Sequence, residues 1–178
     1  MRINMKKQFI IYLLLTTLFS QSYKDLSERP VYKPVKISSS ITFDGKVDLE
    51  EWSNAQVATN FIGSGTFQGE DALLKTEARL MYDDTNLYIS FKAFVDRDEL
   101  RYSITKRDNL DDKDDRVWVN IDAFDDESLT YGIGVSAGGA QIDGRATYGF
   151  DQSLDLVYDT KVQIFDNRYE VEMIIPFS

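Results

Sequence analysis

The stretch NLYISFKAFVD, Asn86 to Asp96, sets Leu87, Ile89, Phe91, Ala93 and Val95 on alternate positions, with Tyr88, Ser90 and Lys92 between them. A period of two marks a half-buried strand, because successive side chains of an extended backbone point to opposite faces. The alternation recurs on either side. LKTEARLMY (Leu74, Thr76, Ala78, Leu80, Tyr82) precedes it, and RVWVNIDAF (Val117, Val119, Ile121, Ala123), LTYGIGVSA (Tyr131, Ile133, Val135) and RYEVEMII (Tyr169, Val171, Met173, Ile175) follow. Joints rich in Asp, Asn and Gly separate these runs: YDDTN at 82–86, FDDES at 124–128, AGGAQ at 137–141 and FDNR at 165–168. Many short strands without a sustained helical period predict an all-β domain, a β-sandwich, with an up-and-down barrel as the alternative topology.

One segment reads differently. In FDGKVDLEEWSNA, Phe43 to Ala55, Asp48 can cap a helix and Glu51 occupies the N3 position of a capping box, which predicts one short helix near residues 48–55. Trp52 falls in its first turns. A tryptophan on a short helix beside a sheet is expected to plug one end of the core, its indole N–H finding an acceptor; the alternative use is a ligand platform.

The chain opens with MRINMKKQFIIYLLLTTLFSQS, which has Arg2, Lys6 and Lys7, an apolar run from Phe9 to Phe19, then Ser20 and Ser22. That is the form of a secretory signal peptide, and its apolar core is shorter than the roughly 20 residues a membrane-spanning helix needs. Residues 1–22 are read as the signal peptide, 23–36 as an extended leader with two of the three prolines, and 37–178 as the folded domain. Export to the periplasm, the outer-membrane surface or the extracellular space is the expected location. Without residues 1–22 the balance is 17 basic against 30 acidic residues, a charge of −13. Such a charge opposes nucleic acid and anionic lipid, which reward Lys and Arg clusters.

The sequence has no cysteine and no histidine. A disulfide framework, thiolate metal sites, cysteine nucleophiles and histidine-dependent triads are therefore closed. Phosphate-binding motifs are absent, and no acidic pair sits in a recognisable catalytic arrangement, so a glycosidase has only the abundance of carboxylates in its favour and no enzyme is expected. No cofactor is required. The acidic loop RDNLDDKDDR, residues 107–116, reads as a solvated loop or as a source of oxygens for a structural Ca²⁺, with Asp112 and Asp115 joined by Asp96 and Asp98 from the end of the preceding strand. Trp118 takes the polar phase of its strand, opposite Val117, Val119 and Ile121, with Asn120 and Asp122 as neighbours in phase. It is either covered there or able to stack on a sugar ring while Asn120 and Asp122 bind hydroxyls, which makes Trp118, Asn120 and Asp122 the candidate ligand-binding residues.

The motifs FDGKVDLEEW, YDDTNLYISFKAFVD, DDRVWVNIDAF, YGIGVSAGGAQIDG and YEVEMIIPFS follow in an order that resembles the family 9 carbohydrate-binding modules. The closer resemblance is to the family 9-like domain at the N-terminus of large exported bacterial proteins, where it precedes a β-rich region. It covers about residues 41–178 and implies a β-sandwich, a non-catalytic module for polysaccharide or oligosaccharide, and a link to carbohydrate catabolism. Sugar-binding members clamp the sugar with a tryptophan where Asp112 stands here, and use a carboxylate at the position of Trp118 and an arginine at that of Gly134. Their second clamp tryptophan, and the strands that complete their sandwich, lie beyond Ser178, so a C-terminally incomplete module is expected. The departures favour an alternative: a structural or interaction domain of an envelope-associated β-rich protein that has lost sugar binding.

Overall fold

The computed structural model describes residues 30–39, 41–63, 69–125, 128–147 and 149–177. The expected signal peptide and residues 23–29 of the expected leader lie outside the described residues. In chain order the strands are β1 (Val35–Lys36), β2 (Thr76–Tyr82), β3 (Asn86–Phe94), β4 (Arg116–Ile121), β5 (Thr130–Ser136), β6 (Gln141–Ala146), β7 (Phe150–Asp151), β8 (Asp159–Ile164) and β9 (Arg168–Pro176). They form a five-stranded sheet in the order β1-β2-β3-β9-β8 and a four-stranded sheet in the order β4-β5-β6-β7. Neighbours are antiparallel except β1, the end of the expected leader, which lies parallel to β2 beside Met81 and Tyr82.

The alternation read from the sequence explains the layering. Ala78, Ile89, Phe91, Val171 and Met173 of the five-stranded sheet form one buried cluster with Val117 and Val135 of the four-stranded sheet. Each of these side chains larger than alanine contributes roughly 1.5–3 kcal/mol by leaving water. Two separate sheets packed on one core make a β-sandwich rather than a barrel. This body comprises Tyr32–Phe61 and Ala72–Ser178; Ile62–Asp71 belongs to a separate small unit, in which Ile62 bridges Asp71 and the Gly63 N–H donates to the Glu70 carbonyl at 2.7 Å.

The short helix expected at 48–55 is not formed. Asp48 does accept the Glu50 N–H at 2.7 Å, and the Trp52 N–H reaches the Asp48 carbonyl at 3.1 Å, but the segment continues as successive turns. The capping box fails because both its groups are engaged elsewhere: Glu51 Oε1 accepts the Thr42 N–H at 3.1 Å, and the Asp48 N–H donates to the Lys46 carbonyl at 3.1 Å. A helix this short has too few bonds to offset its nucleation.

Trp52 is buried, at 1% exposure, but not at an end of the core. It packs with Val47, Ala55, Met81 and Tyr88 on the outward face of the five-stranded sheet, so residues 41–58 act as a strap over that face. The polar phase of β3 and β9 is consequently buried rather than solvated. Glu172 accepts the Asp44 N–H at 3.0 Å, the Gly45 N–H at 2.8 Å and the Trp52 indole N–H at 3.2 Å. Glu170 accepts the Val47 N–H at 2.7 Å and Arg168 Nε at 2.7 Å. Burial pushes the Glu172 carboxyl up from its ordinary value despite these donors. Gly45 permits the close approach: its φ is 88°, and a Cβ there would lie 3.1 Å from the backbone of Lys161 and Val162.

Candidate ligand-binding face

Because β4 points Val117, Val119 and Ile121 into the sandwich, Trp118 and Asn120 stand on the outward face of the four-stranded sheet. The register of β5 brings Gly134 opposite Trp118 and Gly132 opposite Asn120, and β6 brings Gly144 opposite Gly132. This face therefore has a floor of bare backbone. The indole lies across it: a Cβ on Gly132 would fall 2.1 Å from Trp118 Cζ2, and one on Gly134 would fall 2.4 Å from Cε3. Phe150 of β7 covers Gly144 and meets the indole edge to face, with ring centroids 5.5 Å apart and planes at 62°. The Trp118 N–H donates to Asn120 Oδ1 at 2.8 Å. Asp122 Oδ1 accepts the Phe124 N–H at 3.1 Å. Trp118 is half-buried, Asn120 exposed and Phe150 exposed. A flat aromatic surface bordered by an amide can stack an apolar ring face and bind a hydroxyl at its rim.

The floor is anchored from the strand edge by a polar cluster that the sequence did not reveal. The Tyr158 hydroxyl donates to the Gly134 carbonyl at 2.9 Å and the Ile142 carbonyl at 3.1 Å, and burial raises its pKa. The Arg107 guanidinium lies 5.2 Å over the Tyr158 ring and donates to Gln141 Oε1 at 3.2 Å, to the Leu156 carbonyl at 2.7 Å and to Asp143. Asp143, fully buried, also accepts the Leu156 N–H at 2.6 Å. Arg107 and Asp143 thus tie β6 to two loops, which holds the strand that carries Gly144.

The four acids considered for Ca²⁺ are not gathered. Asp96 and Asp98 are exposed at the turn after β3, where the Asp96 carbonyl accepts the Glu99 and Leu100 N–H groups. Asp112 is exposed, and Asp115 Oδ2 accepts the Arg101 N–H at 2.8 Å. Among the described residues no group of three or more acids is placed to hold a metal ion. Acids of this loop accept from backbone amides and hydroxyls, as Asp114 does from Ser103 Oγ at 3.1 Å.

A model of the carbohydrate family 9 binding domain-like family matches residues 43–178. The chain belongs to that family. As a family 9 domain it is similar in fold to a family 9 carbohydrate-binding module from Caldicellulosiruptor kristjanssonii in complex with cellotriose, at 20% identity over 82% of this chain and 68% of that one, with a TM-score of 0.56. The glucose complex of a family 9 module from the same organism matches at 21% identity over 82% and 70% of the two chains, with a TM-score of 0.57. A Bacteroides uniformis protein matches at 10% identity over 82% and 72%, with a TM-score of 0.62. No curated protein matches the chain in sequence. On this family 9 fold, Gly132, Gly144 and Phe150 are the residues of the face that sequence reading passed over, and Gly134 was noted only as the position of an expected arginine. The one signal, for Gly132 and Gly134, was the glycine alternation in YGIGVS, out of phase with Ile133 and Val135.

Proposed function

We propose that this family 9 domain is a non-catalytic glycan-binding module that stacks a sugar ring on Trp118. The observation that carries the reading is the indole laid across the Gly132 and Gly134 backbone, with Asn120 at its N–H and Phe150 at its edge. The axial C–H groups of a pyranose meet the π face, and Asn120 and Asp122 reach its hydroxyls. Family membership supports the reading, as do the sugar complexes of the similar Caldicellulosiruptor modules. The signal-like residues 1–22 support export, and the binding step needs no cofactor. In this reading the module delivers polysaccharide to a catabolic system outside the cytoplasm.

A second reading, a structural or interaction domain of an envelope protein, is favoured by one observation. Exposed Asp112 and Gly134 beneath the indole stand where the resemblance places a clamping tryptophan and an arginine. Titration with soluble oligosaccharides, followed by NMR and tryptophan fluorescence, separates the two. One stacked ring open to water predicts a Kd on the order of 1 mM, about −4 kcal/mol, lost in Trp118→Ala while the far-ultraviolet circular dichroism stays unchanged. Equal shifts in both proteins would remove Trp118 from the site, and no shift in either would favour the second reading.

A further inference from the structure

The chain contains two Asp–Gly steps, Asp44–Gly45 and Asp143–Gly144, and the fold treats them in opposite ways. At such a step a side-chain carboxyl can close on the following main-chain nitrogen, because glycine carries no side chain to obstruct the ring. Asp143 lies within β6, in register with Ile133 of β5. The ladder holds its backbone extended, its side chain is fully buried, and its oxygens are engaged by Arg107 and by the Leu156 N–H. Neither chain nor carboxyl is free to turn toward the Gly144 nitrogen. Asp44 is placed otherwise. It stands in a bend of the strap, just before Gly45 with its φ of 88°, and its side chain is 43% exposed. Its Oδ1 accepts the Lys46 N–H at 2.8 Å, which folds the carboxyl back over the Gly45 peptide, toward the nitrogen it must reach. The Gly45 N–H in turn donates to Glu172 Oε2 at 2.8 Å, so the nitrogen already directs its proton at a buried carboxyl group. Hydrogen-bond reach of the proton to be removed is the first requirement of a general base.

We infer that Asp44–Gly45 is a self-modifying site, at which Glu172 is the base that closes Asp44 to a succinimide, which water then opens to isoaspartate. Water is the only co-reactant. Asp44 reacts as the carboxylic acid, taking its proton from solvent. The Gly45 nitrogen attacks Cγ and its proton passes to Glu172. The bond from Cγ to the hydroxyl oxygen breaks, and that oxygen leaves as water with its own proton and the one Glu172 returns. A second water adds to the main-chain carbonyl carbon of Asp44, the bond from that carbon to the Gly45 nitrogen breaks, and the nitrogen stays joined to Cγ. Burial raises the affinity of Glu172 for a proton, which makes its carboxylate a stronger base than an exposed one.

The product alters the strap where it is fastened. The main chain now runs through Cβ and Cγ of residue 44, one methylene longer, and the former main-chain carbonyl becomes a free carboxylate. The Asp44 and Gly45 amides, which converge on Glu172 Oε2 at 3.0 and 2.8 Å, are spread apart by the insertion. Glu172 loses donors and gains a like charge beside it, an arrangement that disfavours its ionised form. The same carboxyl group accepts the Trp52 indole N–H at 3.2 Å, so the strap loosens and Trp52 is uncovered. This inference stands on groups within the strap and β9, and depends neither on a sheet edge nor on glycan binding.

The second Asp–Gly step is the internal control of the test. The purified protein is held at neutral pH and physiological temperature for several weeks, and electron-transfer fragmentation of its peptides locates isoaspartate. It is expected to accumulate at Asp44 and not at Asp143, whereas in denaturant the two steps should react alike. Glu172→Gln, shown by circular dichroism to be folded, is expected to slow the reaction at Asp44 about tenfold or more. In a Trp118→Phe background, where Trp52 is the sole tryptophan, the emission should move to the red as isoaspartate accumulates, and Asp44→Glu, which cannot form the five-membered ring, should abolish that drift. Folded protein in which Asp44 stays unmodified, or in which Asp143 reacts as fast, would overturn the inference. So would a folded Glu172→Gln protein that reacts at the wild-type rate or faster.

Discussion

Adding one methyl group at Gly132 tests whether the indole lies where the geometry puts it. A Cβ there would sit 2.1 Å from Trp118 Cζ2 and 2.9 Å from Cε2, against the roughly 3.5–4.0 Å at which carbon atoms rest. The ring must retreat by about 1.5 Å, taking its underside out of contact with the floor. Uncovering about 70 Å² of a face from an aromatic that buries 150–250 Å² loses about 1.8 kcal/mol at 25 cal/mol per Å². Alanine recovers about 0.5 kcal/mol of the entropy that glycine loses in a strand. The net destabilisation is about 1.3 kcal/mol, a fall in Tm of roughly 3–5 °C for a domain of this size. Thermal unfolding followed by circular dichroism measures it, and the emission of Trp118 should move to the red as its ring enters water. In a Trp118→Ala background the clash has no partner, so Gly132→Ala should become neutral or slightly stabilising; the cycle isolates the coupling. A Gly132→Ala protein with unchanged Tm and emission, or the same loss in both backgrounds, would refute the flat-lying ring.

Two other perturbations address the buried charges. Arg107→Met leaves the fully buried Asp143 carboxylate with its cation removed, and removing one partner of a buried pair costs about 3 kcal/mol; denaturant unfolding should show that loss. Glu172 has a folded pKa raised above its ordinary 4.5, so its contribution to stability is fully present below about pH 4.5 and is lost as pH rises through the raised value. Relative to Glu172→Gln, which does not titrate, wild-type stability should therefore fall with rising pH across that window; a parallel pair of stability curves would show that Glu172 keeps its ordinary pKa.

How much of this could be read from the chain depends on where the apolar residues fall. The five alternating runs became β2, β3, β4, β5 and β9, because Ile89, Phe91, Val117, Val135 and Val171 declare a core face by themselves. β6 and β8 escaped notice for opposite reasons. Asp143 puts a buried charge on the inward phase of β6, satisfied by Arg107 and the Leu156 N–H from distant loops, and DTKVQI in β8 has too little apolar content to show a period. Glu170 and Glu172 read as a solvated face, since nothing in their own segments indicates that a strap will bring amide donors to them. At the candidate face, the outward phase of Trp118 was legible from Val117 and Val119. The glycine floor was not, because it arises from cross-strand register, which period alone does not specify.

The bonds from the strap to Glu172 join residues 128 and 120 positions apart. At a synthesis rate of 5–20 residues per second, Trp52 waits on the order of ten seconds for the carboxylate that receives it. β9 is also the strand that separates β3 from β8, so the sheet lacks an interior member until nearly the whole body has been made. A half-made chain consequently has no stable stopping point: its tryptophan is bare and one side of β3 is open. Until β9 emerges, the nascent chain must be kept from sticking to its neighbours.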